Sequence, residues 1–152
     1  MLDQHAAIRA QRGLAGRLAP IPALRDGFEQ FLAACFDTAA LPAATLERCR
    51  RLLAALHGAD PADCGPALAE LPPAEAEALA RAELPPGLPR ADSLALDIAR
   101  YIPWNHHDLP DDPVLAFRSE CGNRATVTLL AALAMFDAVY RMTLVARRLE
   151  GA

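Results

Sequence analysis

The stretch that decides the fold is residues 47–64, which read ERCRRLLAALHGADPADC. Around it, apolar side chains recur at three- and four-residue steps, a spacing typical of a helix with one buried side: Leu46, Cys49, Leu52, Leu53 and Leu56. Thr45 can cap the start of this helix, and Gly58 is well placed to end it. The proline-flanked residues 61–66 then predict a turn.

The same periodicity predicts further helices on both sides of this stretch. They cover residues 23–35, 74–83, a segment capped by Asp92 or Ser93 and ending near Ile102, and 123–149, with a short helical piece near 66–70 and a polar loop over 103–113. The last helix carries a predicted buried stripe: Leu129, Leu133, Phe136, Tyr140 and Leu144. Residues 1–21 are predicted to form an N-terminal helix or arm. We therefore predict one all-α domain over 1–152, with about six or seven helices.

Composition supports this fold class and excludes several functions. The chain is 53% hydrophobic but only 5% aromatic, with many Ala and Leu and few β-branched residues, which favours helix over sheet. The net charge is -4 and no lysine is present, so we predict no nucleic-acid partner. No apolar run approaches the roughly 20 residues of a membrane span, and the N-terminus lacks a signal layout, so we predict a cytoplasmic protein without a membrane partner. The four cysteines are spread without a close pair and are predicted to be free thiols.

Three short motifs follow one another along the chain. Leu41-Pro42 precedes the Glu47 helix, His57-Gly58 ends it, and the segment 134–141 contains Phe136 and Arg141. In this order and spacing they resemble the AhpD-like / carboxymuconolactone decarboxylase superfamily, whose last helix carries the same Phe and Arg. The resemblance covers residues 22–149. It implies an AhpD-like helical bundle whose protomers assemble into trimers, hexamers or dimers, so a homo-oligomer is expected.

The chain departs from the redox members of that family where their chemistry resides. Those members carry Glu-x11-Cys-x-x-Cys-x-x-x-His, and alignment from Glu47 places the two cysteines on Ala59 and Ala62 and the histidine on Pro66. The resemblance thus implies a scaffold without its peroxidatic cysteine pair. Cys64 lies near this turn, but it has no second cysteine two residues away, and a Cys49–Cys64 pair would require the turn to fold back.

Glu47 is the first catalytic candidate, since it matches the family's proton-relay glutamate. As a buried carboxylate it would have a raised pKa and act as an acid or base; the alternative is a surface ion pair with Arg51 at i, i+4. His57 is the second candidate. It lies roughly 15 Å from Glu47 along a straight helix, so it is either a separate proton-handling group or a cation that suits the helix C-terminus.

The segment 104–108 holds the densest group of reactive side chains. His106 and His107 are candidate proton-transfer groups, with Trp104 covering an apolar cavity to bind substrate; the alternative is a solvated loop. With the aspartate at 108 the two histidines could also bind a divalent ion such as zinc, but adjacent residues rarely bind one metal ion together, so no metal site is predicted. Tyr140 and Arg141 are candidate substrate-binding residues. Arg141 can neutralise a substrate carboxylate or pair with Asp137, four residues before it.

Three functions remain open from the sequence. The favoured one is a non-redox protein that binds a small molecule or serves in assembly. The alternative is a cofactor-free acid–base enzyme of the decarboxylase or isomerase type that uses Glu47 and His57 with His106 or His107. A thiol peroxidase acting through Cys64 is the third. Phosphate-binding and dinucleotide-binding glycine motifs are absent from the sequence, so no cofactor is predicted.

Overall fold

The computed structural model describes residues 14–36, 38–105 and 107–151, and within them the chain is all-helical, without a strand. This confirms the predicted fold class. The described residues form six α-helices and one 3-10 helix: α1 Leu14–Arg17, α2 Pro22–Cys35, α3 Ala43–His57, the 3-10 helix Pro61–Cys64, α4 Pro73–Ala80, α5 Arg90–Asn105 and α6 Asp111–Glu150. Of the predicted N-terminal arm, residues 1–13 lie outside the described part.

Helix α3 is the centre of the fold and packs against α4, α5, α6 and the 3-10 helix. Its predicted apolar face is confirmed, because Leu46, Cys49, Leu52 and Leu53 are fully buried. It ends as predicted at Gly58, which has a left-handed backbone with φ of 65°. The predicted cap is wrong, however. Pro42 precedes the helix, and the hydroxyl of Thr45 instead donates to Asp92 Oδ1 at 2.5 Å, which ties α3 to α5.

Helix α6 is much longer than predicted because the polar residues before it are its first turn. It begins at Asp111 rather than residue 123. The helix dipole favours the two aspartates of its first turn, and proline is tolerated there because its missing N–H would have no partner within the helix. Gly122 interrupts it with φ of 84° and ψ of 171°, so α6 consists of two helical segments joined at a kink. Most of the predicted stripe is confirmed: Leu129, Leu133, Phe136 and Tyr140 are fully buried, and Leu144 is half-buried.

The bounds of three other helices also differ from prediction. The helical piece near residues 66–70 lies instead at 61–64, where Asp60 caps the 3-10 helix through the amide of Ala62. Helix α4 ends at Ala80, before Ala82 takes a positive φ of 56°. Helix α5 starts at Arg90, places Asp92 in its first turn and continues through Pro103 to Asn105.

Helix α2 is the outermost described element of substantial length. None of its 14 residues is buried. It is joined to the rest through partly buried side chains that pack on the core, and through Phe36 just after it, whose ring stacks on that of Phe136 with centroids 5.0 Å apart. The core therefore depends on α3, α5 and α6.

By length and composition alone, α6 could also cross a membrane. One 18-residue window has a mean hydropathy of 1.6, and 39% of that window is buried within the protein. The expectation that no segment approaches a membrane span does not hold by this measure. Core helices of soluble proteins pass the same test, so the cytoplasmic location stays a prediction.

Candidate functional site

Glu47 lies at the centre of the fold with its side chain fully buried. Its Oε1 accepts hydrogen bonds from Arg50 Nη2 at 2.8 Å and Arg51 Nε at 2.6 Å. Its Oε2 accepts from Arg50 Nε at 2.8 Å and from the amide of Leu68 at 3.1 Å. These four donors fill the acceptor sites that a carboxylate offers. Helical spacing explains the arginines, since residues three and four apart share a helix face.

The expected raised pKa of Glu47 is wrong. Burial by itself raises the pKa of this carboxyl. The hydrogen bond and charge of Arg50, the amide of Leu68 and the hydrogen bond of Arg51 outweigh burial, and the net pKa of Glu47 is lowered. Glu47 is therefore ionised at neutral pH, as one half of a buried ion pair.

Arg50, the partner of Glu47, also holds the chain that follows α3. Its side chain is 3% exposed. Its Nη1 donates to the carbonyl oxygen of Pro61, and to that of Gly65 at 3.2 Å. Arg50 was not predicted as a site residue, although its i, i+3 spacing from Glu47 was the available signal. Arg50 and Glu47 thus fix both sides of the turn at residues 61–68.

The three positions that the predicted resemblance aligns with redox residues lie within this turn or just before it. Ala59 and Ala62 are half-buried, and Pro66 is exposed. A hollow of about 100 Å³ is lined by Ala59 together with Arg51, Ala55, Pro61, Ala76 and Ala80. Small-molecule sites typically measure roughly 300–1,000 Å³, so this hollow can hold only a few atoms.

Cys49 and Cys64 are both buried free thiols. Burial raises the pKa of Cys49 strongly, and it raises the pKa of Cys64 to about 12 although the nearby Arg50 opposes it. Since the thiolate is the nucleophilic form of cysteine, neither side chain is activated for attack on a peroxide.

His57 does not meet Glu47; it contacts Asp137 on α6. His57 Nε2 lies 2.7 Å from Asp137 Oδ1, and Arg141 Nε donates to Asp137 Oδ2 at 2.9 Å. Arg141 Nη2 also donates to the carbonyl oxygen of Pro103 at 2.7 Å. Of the two partners predicted for Arg141, a substrate carboxylate or Asp137 four residues before it, the ion pair with Asp137 is present. Asp137 itself was missed as a partner of His57, because no sequence pattern relates residues 80 positions apart.

A second, larger hollow opens beside Asp137. It measures about 410 Å³ and is lined by Asp137 with four apolar residues: Ile102, Leu109, Leu130 and Ala134. Its walls come from the end of α5, the segment before α6, and α6 itself. It is within the size range of small-molecule sites and has one polar side chain in a largely apolar lining.

The remaining candidates do not converge on either hollow. Trp104 is 73% exposed and lines neither of them. His107 is exposed, and His106 lies outside the described residues. Tyr140 is fully buried, and its hydroxyl donates to the carbonyl oxygen of Arg50 at 2.9 Å. Burial raises the pKa of Tyr140.

The described residues contain no group of three or more His, Cys, Asp or Glu side chains placed to hold a metal ion. Comparisons with protein-family models, curated proteins and solved structures find no match to this chain.

Proposed function

We propose that this chain is a divergent AhpD-like / carboxymuconolactone decarboxylase-type protein that binds a small molecule or assembles with other copies, without thiol redox chemistry. The observation that carries the proposal is the state of Glu47. Its carboxylate is fully buried and already accepts four hydrogen bonds, from Arg50, Arg51 and the amide of Leu68. A general acid or base must exchange a proton with its substrate, and this group has no open acceptor site with which to do so.

The cysteines support the same proposal. The family positions for the cysteine pair are Ala59 and Ala62, and the nearby Cys64 is buried with a pKa of about 12. A peroxidatic cysteine needs a low thiol pKa and a resolving thiol within reach. Cys64 does not meet the first requirement, because burial raises its pKa instead of lowering it.

A peroxide-consumption assay with dithiothreitol as the electron donor tests the absence of redox chemistry. We expect the wild-type protein to consume hydrogen peroxide no faster than the Cys64→Ser variant, which keeps the size and burial of that side chain. Saturable peroxide reduction by the wild type that is lost in Cys64→Ser would overturn the proposal in favour of a divergent peroxidase.

A second candidate, a cofactor-free acid–base enzyme, is favoured by the contact between His57 and Asp137 beside the larger hollow. In this acid–base enzyme, His57 rather than Glu47 would accept and donate the proton. The test is hydrogen–deuterium exchange at carbon in a panel of small lactone acids and keto acids, followed by NMR in D2O. Exchange that disappears in His57→Gln but persists in His107→Gln would establish this candidate. Exchange at the background rate in wild type, His57→Gln and His107→Gln alike would rule out this enzyme and leave small-molecule binding or assembly as the proposed function.

Assembly into a homo-oligomer, whether dimer, trimer or hexamer, and a cytoplasmic location belong to the same proposal. Supporting assembly, α6 exposes large apolar side chains along its length, with Val127 68%, Val145 57% and Leu149 75% exposed. Side chains of this kind commonly cover one another in oligomers. Light scattering coupled to size exclusion tests this, and we expect two, three or six times the chain mass of 16.3 kDa. A monomer at all concentrations would limit the proposal to small-molecule binding.

A further inference from the structure

The larger hollow has a cationic side chain fixed at its edge. Arg141 is anchored twice, through Nε to Asp137 on α6 and through Nη2 to the carbonyl oxygen of Pro103 in α5. Asp137 lines the hollow, and Pro103 directly follows Ile102, which lines it from the other helix. Arg141 therefore bridges the two walls. Its side chain is still 46% exposed, so the guanidinium is both oriented and accessible.

The hydrogen-bonding groups that remain available to a ligand at this edge are donors rather than acceptors. Both oxygens of Asp137 are engaged, Oδ1 by His57 and Oδ2 by Arg141. An arginine carries five N–H groups, and the described acceptors use those on Nε and one on Nη2. The two N–H groups of Nη1 have no acceptor among the described residues. The edge thus offers a fork of donors to an anion, while its carboxylate is already satisfied.

We propose that this hollow binds an amphipathic monocarboxylate, an acid with one carboxylate and an apolar body. The apolar body would lie against Ile102, Leu130 and Ala134, and the carboxylate would accept from Arg141. The volume of about 410 Å³ is sufficient for a chain or ring system of roughly eight carbons. The proposal rests on the small-molecule-binding form of the proposed function and names the ligand class for it.

The surrounding charges set the orientation of the ligand. Leu109 is flanked in the chain by Asp108 and by Asp111 and Asp112, all three exposed. A carboxylate at that side of the hollow would meet like charge without a paired cation, whereas at the other side the charge of Asp137 is already paired with Arg141 and the donors on Nη1 of Arg141 remain for the ligand. The ligand is therefore oriented with its acid group toward Arg141 and its apolar end toward Leu109.

Isothermal titration calorimetry with octanoate, octan-1-ol and octylammonium tests the proposal. We expect octanoate to bind most tightly, because only its carboxylate matches the donors of Arg141. Arg141→Gln should weaken octanoate binding roughly tenfold or more, the size of a charge-assisted hydrogen bond. Ala134→Leu should weaken it similarly by filling the hollow without touching a charge. Arg148→Gln, an exposed arginine on the same helix, is the matched control and should leave the affinity unchanged.

Three results would overturn the proposal. They are no octanoate binding at millimolar concentration, equal binding in wild type, Arg141→Gln and Ala134→Leu, or tighter binding of octylammonium, which would make Asp137 the recognising group. Circular dichroism of each variant confirms that it is folded. The peroxide assay is independent of these titrations. A protein inert to peroxide that also fails to bind octanoate loses only this ligand assignment, whereas peroxide reduction would overturn the proposed function itself.

Discussion

The hydroxyl of Tyr140 donates a 2.9 Å hydrogen bond to the backbone carbonyl oxygen of Arg50, joining α6 to the middle of α3. The two residues lie 90 positions apart in the chain. Arg50 in turn pairs with Glu47 and holds the turn after α3, so this single contact connects the longest helix to the buried ion pair. The hydrogen bond is a second polar contact between α3 and α6, in addition to that of His57 with Asp137.

Replacement of Tyr140 by phenylalanine removes that hydrogen bond while keeping the buried ring. We expect a loss of about 1 kcal/mol in the free energy of unfolding, the usual net worth of a buried neutral hydrogen bond. Urea denaturation followed by circular dichroism measures it. Tyr101→Phe is the matched control, because Tyr101 is 37% exposed, and it should be nearly neutral. Equal stability of both variants would show that the Tyr140 hydroxyl contributes nothing to the fold.

Glu47→Gln should be among the most destabilising single substitutions in the chain. It keeps the shape of the side chain but leaves Arg50 as a buried, uncompensated charge, which typically costs about 3–5 kcal/mol. The control is Glu83→Gln, which breaks an exposed ion pair with Arg81 and should change the free energy of unfolding by at most about 1 kcal/mol. A Glu47→Gln protein as stable as the Glu83→Gln protein would contradict the structural role assigned to Glu47.

Two buried carboxylates, Glu47 and Asp63, should make the free energy of unfolding depend on pH in opposite directions. The folded pKa of Glu47 is lowered, so its contribution is present above its ordinary value of 4.5 and is lost as pH falls through the folded pKa. Burial raises the pKa of Asp63 even though Arg147 binds it at 2.5 Å. Its ionised form is therefore disfavoured by folding, a cost that sets in as pH rises above 3.8.

Urea denaturation between pH 3 and pH 7 tests both signs. The stability gap between wild type and Glu47→Gln should narrow as pH falls below 4.5. Relative to wild type, Asp63→Asn should gain stability as pH rises through the same range, because the amide keeps an acceptor for Arg147 without the charge. Parallel pH profiles for all three proteins would refute both assignments.

The cysteines should separate into two classes by reactivity. At pH 8, a thiol with a pKa of about 12 is ionised in roughly one molecule in ten thousand, and both Cys64 and Cys49 are buried. Cys35 and Cys121 are partly exposed and should react first with iodoacetamide. Mass spectrometry of a time course measures the order. Modification of Cys64 as early as Cys35, without denaturant, would show that the 3-10 helix opens readily.

Substitution by alanine should change the free energy of unfolding in opposite directions at two glycines. Gly122 has φ of 84° and ψ of 171°, a backbone region that is nearly exclusive to glycine, so Gly122→Ala should cost about 1–3 kcal/mol although nothing lies near the added methyl group. Gly27 lies inside α2 without a positive φ and with open space around it. Gly27→Ala should therefore stabilise by up to about 1 kcal/mol. Thermal unfolding of both variants distinguishes them, and the same sign for both would contradict the kink.

Sequence periodicity predicted the helices whose apolar faces are regular and failed where polar residues carry the structure. The buried face of α3 and its end at Gly58 were predictable, since both follow from local rules. The first turns of α6 were predicted as a loop because aspartate and proline favour both helix N-termini and turns. Thr45 was predicted to cap α3 because no local pattern indicates its actual partner, Asp92, which lies 47 positions away. The resemblance to the AhpD-like family stays a prediction.

The candidate site shows the same division. The i, i+4 pairs of Glu47 with Arg51 and of Asp137 with Arg141 could be predicted from helical spacing. The sign of the pKa shift of Glu47 could not, because it depends on the amide of Leu68 and on the orientation of Arg50. The contact between His57 and Asp137 depends on how α3 and α6 pack, which no local pattern encodes.

Because α2 buries none of its residues, its backbone amides can exchange with solvent hydrogen through local opening that leaves the rest of the fold intact. The amides of α3, which is surrounded by α4, α5 and α6, are expected to exchange only when the whole domain unfolds. The protein thus has two tiers of protection against exchange and proteolysis. We therefore expect a protease to cleave within α2, residues 22–35, before it cleaves the helix that holds Glu47.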